Sequence, residues 1–274
     1  MSVLYGLALL INMFHLFVLA NLKGLKGVPY RHVLIHLTLS DIAISGSMVV
    51  YYSCVSYFSF INFSGPIGKR LVLNSVISTA NYIGFYVFAI GSVEKYKALC
   101  RPLTYNTSKF ICRIPVAFGA AWALVAAVTT FTAFLKVTGQ CPYVNSTWFQ
   151  VSFLVIFAMT PSLFSVVVLA KVYGELRRMQ NRSETANEDR QTKRAAIYFI
   201  TIFILFMVAL LINIIALSVG YSTGNFIYTR VYHILKAAYT VSNTFIYGWS
   251  TKSYRRYILN MLRCNRKSSV AVAQ

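Results

Sequence analysis

Acid is what this sequence has least of: six Asp and Glu stand against 26 Lys and Arg, a formal charge of +20 in 274 residues of which only 12% are charged. Soluble domains carry about 25% charged residues. A chain that is 57% hydrophobic, with a mean hydropathy of +0.61, has too little polar surface to be one. Catalytic signatures are missing as well. There is no His-Glu-x-x-His, phosphate-binding loop, Gly-x-Ser-x-Gly or paired catalytic acid, so an enzyme has no evident chemistry here. Five scattered cysteines make no metal cluster, and neither metal nor cofactor is expected. Six prolines and 14 glycines form no low-complexity linker, and no internal repeat is present, which leaves one domain.

What is present is apolar length. Hydropathy gives seven runs of about 19 to 29 residues, enough to cross a bilayer: Ser2 to Ala20, Val33 to Phe58, Arg70 to Ala98, Arg113 to Leu135, Thr147 to Gly174, Lys193 to Val219 and Tyr228 to Ser250. No basic region precedes the first run, so it is read as a span and not as a cleaved leader. Thr251 to Arg263 follows, with Tyr254, Tyr257, Ile258, Met261 and Leu262 on one helical face and bases on the other, the pattern of a helix lying on a membrane surface. The fold expected is all-α: a seven-transmembrane helical bundle over 1–250, then an amphipathic eighth helix and short tail over 251–274.

The bases fix the expected topology. Lys23, Lys26 and Arg31 join spans one and two. Lys95, Lys97, Arg101, Lys109 and Arg113 follow span three, Lys171 to Arg194 carries a third basic set, and the tail a fourth. All four sets fall on one side, which predicts a cytosolic tail and an outside amino terminus in the plasma membrane. Base placed this way addresses a lipid bilayer; no nucleic-acid partner is expected. Of the four sequons, those at Asn62 and Asn145 fall outside and are glycosylation candidates, whereas those at Asn106 and Asn181 fall inside.

Only Asp41 and Glu94 put an acid in or at the edge of a span. A carboxylate at membrane depth costs at least about 2.5 kcal/mol, so Asp41 has to face the interior. Its expected partners are Asn12 and Asn243, forming either a neutral structural knot or a hydrated, ion-holding switch. Glu94 is expected to meet Lys97 one turn on, and Pro102 to end or bend the helix, leaving Lys95 as a cation at the bundle's mouth. Lys236 lies seven residues outward of Asn243, about 10 Å along the helix. It either takes an anionic or aldehyde ligand, or is deprotonated or reaches towards outer water. No outer acid exists to hold an amine, so a small, largely apolar ligand is expected, against Ile77, Asn81, Phe85, Phe157, Phe206, Leu210, Tyr232 and Tyr239. Cys54, about 20 Å outward of Asp41, and Cys141 are a candidate disulfide, and Cys264 a palmitoylation candidate.

Five motifs in order resemble the rhodopsin-like (class A) G-protein-coupled receptors: Leu37 to Asp41 in span two, Glu94-Lys95-Tyr96 after span three, Trp122 in span four, Pro161 in span five, and Asn243 to Tyr247 in span seven. Within that family, Pro29-Tyr30, Leu39 to Ile42 and Lys95 to Tyr105 look most similar to olfactory, odorant-type receptors. The resemblance implies a chemosensory receptor that binds a small molecule outside and activates a heterotrimeric G protein inside. Glu94, Lys95 and Tyr96, flanked by Arg190, Lys193 and Arg194, would then meet the G protein. Asn12, Asp41, Asn243 and Tyr247 would form the activation switch, and Asp189 would pair with Lys95 at rest. Lys95 stands where the family has arginine, Thr244 where it has proline, and Arg70 near an expected cysteine. A non-chemosensory orphan receptor or a signalling-impaired receptor is the alternative. An ion channel or transporter would want repeats and more intramembrane charge than these spans hold.

Overall fold

The structure is a computed structural model that describes residues 1–22, 30–58, 67–101, 105, 110–139, 149, 152–153, 155–180, 187–223, 226–250 and 254–261. It is all-helical, with no strand among the described residues. The long helices are α1 (Ser2–Asn21), α2 (Tyr30–Phe58), α3 (Ile67–Cys100), α4 (Phe110–Thr138), α5 (Thr160–Gln180), α6 (Asn187–Thr223) and α7 (Phe226–Ser250), with a short α8 over 254–261. Among the described residues, six helices are long and apolar enough to cross a membrane, those of α1 to α6. They make this a membrane protein in build.

Most of the helices run past their apolar runs. The second, third, fourth and sixth begin at Tyr30, Ile67, Phe110 and Asn187, ahead of the expected starts at Val33, Arg70, Arg113 and Lys193, because polar or charged first turns continue a helix as readily as apolar ones. The expected fifth span is not one regular helix. Val155–Met159 is a π turn, and α5 proper begins at Thr160. Pro161 supplies the reason: it has no N–H to return to the carbonyl of Phe157, so the turn before it widens.

Polar side chains are tolerated in these helices because they bond to their own backbone. Thr38, Ser92, Ser162 and Ser165 each donate to the carbonyl four residues back, at 2.7 to 2.8 Å. In hydrocarbon such a hydroxyl has no water to fall back on.

The third helix is the strut. It packs on α2, α4 and α5 and touches α6, while α1 joins α2 and α7, and α7 joins α6. Its inner face carries Ile83, Val87 and Phe88, which meet Leu37 of α2, Phe118 of α4 and Phe199, Ile202 and Phe203 of α6 in one buried cluster. Lipid tails are as apolar as these side chains, so close packing and not water exclusion holds the cluster. Gly91 shows how close: a Cβ there would lie 2.6 Å from the Phe199 ring and 3.0 Å from Val33. Gly91→Ala should lower stability by about 1–3 kcal/mol, read as a drop in thermal unfolding temperature in nanodiscs. Adding Phe199→Leu should restore part of it, and two purely additive losses would contradict the contact.

Candidate functional site

Four buried charged side chains organise the interior: Asp41, Glu94, Lys95 and Lys236. They occupy three levels of the bundle.

At mid-depth, Asn243 Nδ2 donates to Asp41 Oδ2 at 2.8 Å, tying α7 to α2. Asn12, the other expected partner, makes no bond to Asp41 among the described contacts. Its amide nitrogen donates to the Ala8 carbonyl at 3.0 Å, and its oxygen accepts the Thr244 hydroxyl at 3.3 Å. Neighbouring residues on α7 thus hold two different helices, and Thr244 contributes a bond that a proline in its place would lack. Asn243 Oδ1 and Ser45 Oγ, the latter one turn from Asp41, are buried without a hydrogen-bond partner among the described residues. Acceptors of this kind hold a water or a monovalent cation.

At one end of α3, Lys95 Nζ lies 2.7 Å from Glu94 Oε2, with both side chains at most 3% exposed. The contact is ionic and off the line of a hydrogen bond, since Oε2 has no aligned donor. The other oxygen, Oε1, accepts the Tyr105 hydroxyl at 2.8 Å. One expectation is corrected here: Lys95 is no open cation, because a sealed carboxylate needs a sealed cation beside it. Burial and the Glu94 charge push the Tyr105 hydroxyl up from its usual pKa, so it remains a donor.

Around this end, Tyr96 packs on the cluster of Leu99, Val172, Leu176 and Ala196. Lys193 Nζ donates to the Met179 carbonyl at 3.2 Å, and Arg194 is exposed. The side chains of Asp189 and Arg190 lie outside the described residues, and with them the expected Asp189 to Lys95 pairing. So do Cys54's side chain, Cys141, Asn62, Asn145 and Cys264.

At the opposite end, Lys236 Nζ donates to Asn81 Oδ1 on α3 and to the Tyr232 hydroxyl at 3.3 Å. Lys236 is 7% exposed, so it does not reach towards outer water. The expected wall is largely brought together. Phe85 meets Phe206 at 4.9 Å, and Phe206 meets Tyr239 at 5.5 Å between ring centres. Phe157 joins through Phe153 at 4.6 Å and Tyr82 at 5.1 Å. Ile77 packs instead with Tyr5, Met48 and Ala237, and Leu210 is half-buried one turn beyond Phe206. An open apolar groove of about 670 Å³ among α1, α6 and α7, and another of about 500 Å³ between α3 and α4, touch none of the expected wall residues.

Two side chains of one buried cluster, His15 and Tyr198, escaped sequence reasoning. His15 Nδ1 bonds the Tyr254 hydroxyl at 2.8 Å, and Tyr247 lies edge-on to both rings at 5.8 and 5.4 Å and to Tyr198 at 5.7 Å. The expected membrane-facing side of α8 is therefore partly turned inward: Tyr254 is buried at 2% exposure, Tyr257 and Ile258 pack on the core, and Met261 is open, while Leu262 lies outside the described residues. Burial and the neighbouring Tyr247 push the Tyr254 hydroxyl up to about 12, so it is un-ionised near neutrality. The available signal was spacing, since His15 falls one turn after Asn12 on the inner face.

Set against known families and curated proteins, the chain matches no family model and no curated protein. Tyr254→Phe should cost about 0.5–1.5 kcal/mol, the net value of one hydrogen bond, and Tyr254→Ala about 3–5 kcal/mol. Thermal unfolding in nanodiscs reads both; equal losses would contradict the His15 bond.

Proposed function

We propose that the chain is a rhodopsin-like chemosensory receptor. In this reading α1 to α7 span the plasma membrane with the amino terminus outside, and α8 lies along the inner surface. A small extracellular ligand enters at the Lys236 end among α3, α5, α6 and α7. Its binding favours a state in which α6 swings out at the Lys95 end, where a heterotrimeric G protein docks on Glu94, Lys95 and Tyr96, flanked by Arg190, Lys193 and Arg194. A ligand shifts that equilibrium only by its differential affinity for the two states. The activity is binding and relay, with no bond made or broken.

One observation supports the reading: two of the three levels of buried charge, and the cluster around Tyr247, are made through α7. Lys236 reaches Asn81, Asn243 reaches Asp41, Thr244 reaches Asn12, and Tyr247 packs on His15 and Tyr254. Its opposite face, with Ile227, Val231, Ile234 and Phe245, is exposed. A 25-residue helix of about 37 Å exceeds the bilayer core of about 30 Å. Its polar residues are spent inside, which supports α7 as a seventh span despite its lower hydropathy.

A signalling-impaired receptor is favoured by two features of the same helices, the sealing of Lys95 by Glu94 and an α7 that runs without a proline. Nucleotide exchange on purified G proteins separates the two, with the protein in nanodiscs and an odorant panel. A working receptor gives ligand-dependent exchange that falls about tenfold or more in Lys95→Ala, the loss of one charged hydrogen bond. Exchange in Lys95→Arg alone would establish the impaired reading. Ligand-gated current in liposomes free of G protein would contradict both.

A further inference from the structure

The wall around Lys236 is expected to take a largely apolar ligand, yet its centre is an ammonium, and the charge of that ammonium is unmatched. The chain has six acids. Glu94 is closed by Lys95 and Tyr105, and Glu175, Glu184, Glu188 and Asp189 fall in the sequence between the apolar runs of α5 and α6, in the basic stretch read as cytosolic. The remaining acid, Asp41, is held by Asn243, two turns from Lys236 and about 10 Å along α7. Among the described residues no carboxylate is therefore within reach of Nζ. Its partners among the described residues are the Asn81 amide oxygen, the Tyr232 hydroxyl and the Tyr232 ring at 5.5 Å, all neutral.

A lysine at membrane depth costs about 2.5–3.5 kcal/mol unless it is matched. Neutral acceptors satisfy its hydrogen bonds and leave its charge uncompensated. The surroundings are also built for an anion. Lys236 offers three N–H donors, Tyr232 a hydroxyl and Asn81 an amide NH₂ once its side chain turns over, three donor groups from α3 and α7 around one point. One turn along α3 from Asn81 stands Phe85, and one turn along α7 from Lys236 stands Tyr239, and the Phe206 ring joins the two.

We propose that this cluster binds the carboxylate of a small organic acid, which takes the place of the Asn81 oxygen on Lys236 and supplies the missing charge. The proposal rests on reading this end of the bundle as the ligand site, and it replaces a neutral odorant with a short anionic one. A charged hydrogen bond of this kind also makes the two helices it joins, α3 and α7, depend on the ligand for their closest contact.

Hexanoate is the probe, with 1-hexanol and sodium chloride at matched ionic strength as controls, measured as binding to and thermal stabilisation of the full chain in nanodiscs of zwitterionic lipid. Hexanoate is expected to bind and stabilise, and the two controls are not. Lys236→Met should weaken hexanoate about ten- to a hundredfold. In case that variant fails to fold, Asn81→Asp puts a carboxylate beside Lys236 from within, and should raise the unfolding temperature while abolishing hexanoate binding. No hexanoate binding, an equal response to hexanol or chloride, or an Asn81→Asp variant that is destabilised and still binds hexanoate would overturn the site. G-protein exchange is scored separately. Hexanoate binding without exchange leaves the anion site standing and removes the receptor reading. Exchange driven equally by hexanol, and indifferent to Lys236→Met, does the reverse.

Discussion

A charge inside a bilayer-sized bundle has to be matched by the protein itself, and this chain meets that demand differently at each level. Asp41 is given a neutral amide, Glu94 its own neighbour Lys95, and Lys236 an amide and a phenol. Breaking a buried pair from one side costs about 3–5 kcal/mol because the other charge stays behind. These contacts therefore fix where the helices sit more firmly than the apolar packing between them, which lipid can imitate. Each contact but one reaches α7. The exception, Glu94 with Lys95 and Tyr105, joins the end of α3 to the segment that follows it.

The packing leaves one helix less committed. The sixth lies chiefly against α7 and touches α3 and α5 lightly, and much of its surface faces outward. Its firm hold on α3 is the Phe199 ring over Gly91. A helix anchored on one side and lightly held on the other is suited to swing, which is the motion the proposed function asks of it. Sub-ångström changes at such a contact become larger ones because a packed interface has discrete arrangements.

Much of this was legible in the sequence, for physical reasons that differ by residue. Asp41 had to face inward whatever the fold, and Asn243 was the right type on the right helix. The aromatic wall from Phe85 to Tyr239 followed from helical spacing. Lys95 was read as an open cation because spacing rules describe exposed helix faces, where adjacent residues diverge; burial turned it onto Glu94. Asn12 was given to Asp41 since nothing in the sequence shows that Thr244 stands closer. Tyr254 was put on the lipid face because a tyrosine is apolar enough for either side, and only its contact with His15, 239 positions away, decides. The π turn before Pro161 and the close approach at Gly91 are properties of backbone geometry, which hydropathy does not carry.

Under the proposed function, the sealed pair at the end of α3 is what keeps the resting state at rest. Removing the charge of Glu94 while keeping its shape tests that most directly. Ligand-independent nucleotide exchange by Glu94→Gln in nanodiscs, with unfolding temperature measured alongside, should rise severalfold above the unsubstituted protein, because Lys95 is released and Tyr105 loses a charged acceptor. A folded Glu94→Gln protein with exchange no higher than that of the unsubstituted chain would contradict the account.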